Sequence, residues 1–166
     1  MGKVQDLFGN GSPGAVSRSV DDIVISVRNA SGGDIPFGTP VFVTDSGAVP
    51  FDTGDPQDFS AFLGFAVRVA DKTPDTYQTG QFNDPPAGVW HAGDVMEVLV
   101  RGGIAAPLET VGVMGAKVYI RKSDGKLTTT AGSSGATVQL ENVRVRNPRS
   151  GPANCAEVIV NSRNLI

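Results

Sequence analysis

The chain breaks its own helices. It carries 21 glycines and 11 prolines in 166 residues, and only residues 15–31, 136–147 and 153–166 run for twelve or more positions without either. Glycine loses the most backbone entropy in a helix, and proline removes a helical hydrogen bond. The three uninterrupted stretches all contain β-branched runs, which favour strands. The spacing therefore predicts an all-β chain of seven or more short strands, closed as a small barrel or packed as a sandwich.

Alternation of apolar and polar residues places those strands. Ile23, Ile25 and Val27 alternate with Val24, Ser26 and Arg28, and Val41-Phe42-Val43 is fenced by Pro40 and Asp45-Ser46-Gly47. Phe59 to Val69 is apolar at every odd position, so one face is expected in the core, with Gly64 permitting a bend or a close backbone approach. Asp94 to Arg101 follows with Met96, Val98 and Val100 inward, and Gly102-Gly103 is expected to end it. Lys117 to Arg121 points Val118 and Ile120 inward, and Asp124-Gly125 predicts a type I′ hairpin. Thr128 to Gly135 reads as a polar loop tip. Val138 and Leu140 stand in one phase and Val143 and Val145 in the other, so a bulge or turn is expected at Glu141-Asn142. Ala156 to Val160 closes the chain as a strand.

Two segments do not fit this scheme. Residues 1–20 read as a flexible N-terminal arm ahead of a single β-domain at 21–166. Gly9-Asn10-Gly11-Ser12-Pro13-Gly14 resists regular structure, and Val4, Leu7, Phe8 and Val16 are too sparse to form a core alone. Apolar residues on such an arm suit docking on a neighbour. Residues 71–93 form a long polar connection carrying Tyr77, Phe82, Trp90 and His91, a composition expected to pack against the body.

Charge and composition narrow the function. The formal net charge is −3. Residues 45–97 carry nine acids against Arg68 and Lys72, whereas residues 98–166 carry nine Lys and Arg against four acids. No single basic face dominates, which disfavours nucleic acid as the main partner. The division suits copies packing acidic part to basic part, or two halves that interleave and cancel. No window approaches the roughly 18 apolar residues of a membrane span, and the N-terminus lacks an apolar secretory core, so a soluble, unsecreted chain is expected. Cys155 alone permits no intrachain disulfide and is expected as a buried, inert thiol.

Catalytic and ligand strings are present but out of context. Gly9-x-Gly11-x-x-Gly14 matches a dinucleotide fingerprint without its preceding strand, and Pro13 interrupts it. Ser123-x-x-Lys126 spans an Asp-Gly turn, not the helical turn that a serine–lysine pair needs. His91 is the one imidazole. Asp52, Asp55 and Asp58 lack the spacing of a calcium loop and read as solvated. Arg144, Arg146 and Arg149 form a basic run, with 144 and 146 on one face of a strand, facing solvent or an acidic protein surface. No catalytic residue, metal or cofactor is expected.

An ordered set of motifs adds a family resemblance. Phe62-Leu63-Gly64-Phe65-Ala66-Val67-Arg68 is followed by Gly93-Asp94-Val95-Met96-Glu97-Val98-Leu99-Val100-Arg101-Gly102-Gly103-Ile104. Then come Gly115-Ala116-Lys117-Val118-Tyr119-Ile120 with Gly125, and Ala156-Glu157-Val158-Ile159-Val160. Over residues 20–162 the chain resembles the capsid cement, or head decoration, proteins of tailed bacteriophages. The resemblance implies a non-enzymatic, β-tulip-like virion protein on the outer face of the head, made in the host cytoplasm. It implies a clamp between adjacent major capsid subunits, as a homotrimer or alternatively a homodimer, with no membrane or nucleic acid partner. Val4, Leu7, Phe8 and Val16 are the expected capsid-binding arm residues. The insertion Asp71–His91 and the loop Thr128–Gly135 depart from the family pattern. The rival reading is a carbohydrate- or receptor-binding β-sandwich using Tyr77, Phe82 and Trp90. A small hydrolase is disfavoured because no base–nucleophile set exists.

Overall fold

The computed structural model describes residues 12–17, 21–51, 61–69, 88–133, 135–148 and 154–162. Among them no α-helix occurs, and no helix is long and apolar enough to cross a membrane. The strands are β1 (Ile23–Arg28), β2 (Ile35–Pro36), β3 (Pro40–Thr44), β4 (Gly47–Pro50), β5 (Phe62–Ala66) and β6 (Val89–Trp90). After them come β7 (Val95–Pro107), β8 (Lys117–Arg121), β9 (Leu127–Thr128), β10 (Thr137–Asn147) and β11 (Cys155–Val160). The main sheet runs β4-β3-β5-β7-β11-β10-β8-β9 with β1 also on β7, and β2 pairs β6 separately.

The organising strand is β7. Its first half pairs with β1 and β5, and its second half pairs with β11. The expectation that Gly102-Gly103 ends this strand is corrected: the strand passes through both glycines to Pro107. Their job is close approach. Gly102 has φ +118, and a Cβ there would collide with the Asp22 carboxylate. One on Gly103 would collide with Ser17 Oγ.

Each half of β7 belongs to a curled sheet. In the first, β4, β3, β5, β7 and β1 lie in order, and Asn29, just past β1, bridges back to Ala48 of β4. Ala30 N–H donates to the Ala48 carbonyl at 2.9 Å. The interior holds Ile35, Phe37, Val41, Leu63, Trp90, Met96, Val98 and Val100, all buried. In the second, β11, β10, β8 and β9 follow β7, and Leu108 bridges to Leu127. Ile104, Val118, Ile120, Leu140, Val143, Val145, Val158 and Val160 fill it, together with Phe42, Phe62, Phe65 and Leu99 from the first half. Phe62 meets Phe42 and Phe65 edge-on, with ring centroids 5.8 and 5.6 Å apart. Each such ring contributes roughly 1.5–3 kcal/mol through burial.

The sheet between the two cores is therefore buried on both faces. All five residues of β5 are buried, and the expected odd-position face is corrected. Phe62 and Phe65 serve one core while Leu63 and Ala66 serve the other. The register against β3 slips between Val41 and Phe42, and that slip changes the phase within the strand. Gly64 sits against the Leu99 backbone, as its close-approach reading expects. Residues 59 and 60 lie outside the described ones.

Other expectations hold in detail. β8 spans Lys117–Arg121 with Val118 and Ile120 fully buried. The β10 register slips between Gln139 and Arg144, and Asn142 adopts φ +62. Cys155 is buried. The Asp124-Gly125 hairpin forms, but not as type I′, which needs positive φ at both central residues. Only Gly125 has it (φ +69), and the loop closes through Gly125 N–H to the Arg121 carbonyl and Arg121 N–H to the Lys126 carbonyl.

Candidate functional site

Part of the N-terminal segment is built into the body. Gly14 N–H donates to the Ala105 carbonyl at 2.8 Å, and Ala105 N–H donates to the Ala15 carbonyl at 2.9 Å. Ser17 N–H reaches the Gly103 carbonyl at 2.8 Å, and the Gly14 carbonyl accepts from Arg68 N–H at 2.8 Å. Ser17 Oγ also donates to Glu157 at 2.5 Å. Residues 14–17 thus add a short strand-like strip to the second half of β7 and tie it to the end of β5. Gly14 has φ +75, and a Cβ would lie 2.8 Å from Phe37 Cβ and 2.9 Å from both the Ala66 oxygen and the Arg68 nitrogen. The last glycine of the nucleotide-like string is therefore a packing glycine, enclosed by protein. Val16 bridges Ile104 and remains 39% exposed. Val4, Leu7 and Phe8 lie outside the described residues.

Several polar side chains with suggestive sequence context are taken up by ion pairs and turns. His91 Nδ1 lies 3.0 Å from Asp34 Oδ1 on the surface. Ser123 and Lys126 occupy the β8–β9 loop, where Lys126 N–H donates to Asp124. Arg121 holds Glu109 on one side and Asp124 on the other. The hydrogen bond from Arg121 lowers the Asp124 carboxyl to about 2, and Asp124 in turn raises Arg121 further above its already high value. Arg146 pairs with Glu157 at 3.7 Å, while Arg144 Nη1 donates to its neighbour's carbonyl at Val143. Arg149 and Asp52, Asp55 and Asp58 lie outside the described residues. No group of three or more metal-ligating side chains gathers among the described residues.

Trp90 is also structural. It is 4% exposed, stacks edge-on with Phe37, and donates Nε1–H to the Val67 carbonyl at 2.9 Å. A sugar-stacking platform needs an open ring face, and this ring has none. Tyr77 and Phe82 lie outside the described residues.

What remains available is surface. An open cleft of about 410 Å³ is lined by Pro40, Pro107, Leu108, Leu127, Glu109 and Lys126, among others. Among the described residues, the most exposed large apolar side chains are Val113 (75%) and Met114 (72%), ahead of Val95, Val24, Val16 and Ile23. The Val113-Met114 pair escaped the sequence reading. Its signal is two large apolar residues enclosed by Gly112 and Gly115 where a polar turn is ordinary.

No curated protein matches the chain in sequence. A structure titled "The capsid of Myoviridae Phage XM1" contains a chain similar in fold, with TM-score 0.70 and 16% identity, covering 94% of this chain and 93% of that one. The family model described as "Structural cement protein (E217 gp24/Pam3 gp6)" matches residues 2–161. Spanning nearly every residue from the N-terminal segment through β11, that match shows that the chain belongs to the phage structural cement protein family.

Proposed function

We propose that this protein binds the outer face of a phage head and stabilises it by clamping adjacent major capsid subunits, with no bond made or broken. The observation that carries the reading is the family match over residues 2–161. The packing of other polar groups is in keeping with it: His91 pairs with Asp34, the Lys126 N–H closes a turn onto Asp124, and Trp90 donates into the core. Specific interfaces bury roughly 1,200–2,000 Å², and modest contacts repeated over a symmetric shell sum through multivalency. The working unit is a homotrimer, with a homodimer as the alternative, and Val4, Leu7, Phe8 and Val16 contribute to the grip. Heads assembled without the protein, incubated with purified chain and imaged, should gain regular density on the outer face and melt at higher temperature. Heads that stay bare would overturn the reading. Light scattering of the free protein distinguishes trimer from dimer.

A further inference from the structure

We propose that the turn Val113–Ala116, with Lys117 and Arg144 beside it, is a docking knob for the capsid shell, and that its seat is an acidic protein surface containing an apolar pocket. This deepens the cement reading and rests on it. Val113 and Met114 are adjacent and about three-quarters exposed. Single exposed apolar residues are ordinary, but a paired protrusion is not. The turn is held rigidly: Ala116 N–H donates to the Val113 carbonyl at 3.0 Å, Gly115 N–H to the Val145 carbonyl at 2.7 Å, and Val145 N–H to the Ala116 carbonyl at 3.0 Å. Gly115 adopts φ +82, and a Cβ on it would meet nothing within 4 Å, so the tip stands clear of the body. Presenting two apolar side chains on a fixed turn lowers the ordering cost of burying them elsewhere.

The second observation is electrostatic. Lys117 of β8 lies opposite Arg144 of β10. Like charges directly opposite on a sheet destabilise it. Three other strand cations are matched by carboxylates: Arg146 by Glu157, Arg121 by Glu109 and Asp124, and Arg101 by Asp21. Among the described residues, no carboxylate pairs with Lys117 or Arg144. A basic pair left unmatched beside an apolar protrusion is complementary to acidic groups around an apolar pocket. Two cations are few for gripping a nucleic acid backbone, and the apolar tip has no use there.

The test uses the full chain and heads assembled without it. Wild type, the Val113→Ser/Met114→Ser variant and the Lys117→Glu variant are compared by co-sedimentation at low and high salt, with melting curves as the folding control. The serine pair should melt like wild type, and Lys117→Glu, which sets a carboxylate opposite Arg144, should melt no lower than wild type. The serine pair should bind heads at least roughly tenfold more weakly, the loss expected of a buried anchor. Lys117→Glu should weaken binding most at low salt. If wild type decorates heads and the serine pair matches it, the knob is wrong while the cement reading stands. If wild type leaves heads bare, the cement reading itself fails. A serine pair that changes the oligomeric state but not head binding makes the turn a self-association surface and overturns the proposal, as does Lys117→Glu losing affinity for DNA but not for heads.

Discussion

The side-chain amide of Asn29 donates to the Trp90 carbonyl at 3.0 Å from a site only 1% exposed. The same nitrogen reaches the carbonyls of Gly33 and His91 at 2.9 and 3.0 Å, while Oδ1 accepts from Ser31 N–H and Ser31 Oγ. Asn29 also makes the bridge to Ala48 that closes the first curled sheet. One short polar side chain therefore holds the turn after β1 and the segment after β6, while the backbone at the same position closes the curled sheet onto β4.

Asn29→Ala should destabilise the chain by about 1–3 kcal/mol, the cost of leaving buried partners unsatisfied. Asn29→Asp should cost more, because it places a carboxylate oxygen among three carbonyls. Denaturant unfolding of the three proteins checks the order, and an aspartate variant as stable as wild type would contradict this account.

Two glycines should respond in opposite degree. Gly64→Ala pushes a methyl into the Leu99 backbone, whose carbonyl carbon would lie 2.8 Å away, in a core that cannot yield. The variant should fail to accumulate as folded protein. Gly115→Ala meets open space and bears only the left-handed backbone cost, about 1–2 kcal/mol. Soluble yield and melting temperature separate the two.

Acid should loosen the β8–β9 loop. The folded Asp124 pKa of about 2 lies below its ordinary 3.8. A depressed carboxyl stabilises the fold above its unfolded pKa and loses that contribution as pH falls towards the folded value. The stability difference between wild type and Asp124→Asn should hold at neutral pH, shrink below about pH 4 and vanish near pH 2. Added salt should reduce it at every pH. Melting curves across that range are the measurement.

Truncation should divide the N-terminal segment in two. Deleting residues 1–11 should leave the melting temperature nearly unchanged while weakening head decoration. Deleting residues 1–17 should in addition remove the hydrogen bonds from Gly14, Ala15 and Ser17 and lower stability, at about 0.5–1.5 kcal/mol for each bond. Full decoration by the shorter deletion would remove Val4, Leu7 and Phe8 from the grip.

The strands most legible in the sequence have one apolar face and clear stops. Lys117–Arg121 and Ile23–Arg28 emerge with their expected bounds because alternation and turn residues agree there. The slip at Glu141-Asn142 is readable because two phases of valine and leucine meet across it. Phe62–Ala66 misleads because both faces are buried, so alternation carries no information about which side is core. Gly102-Gly103 misleads because a glycine pair that stops a strand and one that admits Asp22 and Ser17 against the strand look alike in sequence. The Gly14–Ser17 strip is hidden for a related reason: its partners lie just past β5 and on the second half of β7, far along the chain. For the candidate surface, the family is legible and the Val113-Met114 protrusion is not, since exposure is decided by tertiary packing.

β7 runs unbroken from one curled sheet into the other. A tug that grips the molecule at both halves is thus carried along a covalent backbone flanked by antiparallel ladders. Those ladders resist by sliding, many bonds at once, and not by peeling one after another. In the proposed clamp, that strand would transmit tension without a hinge to give way.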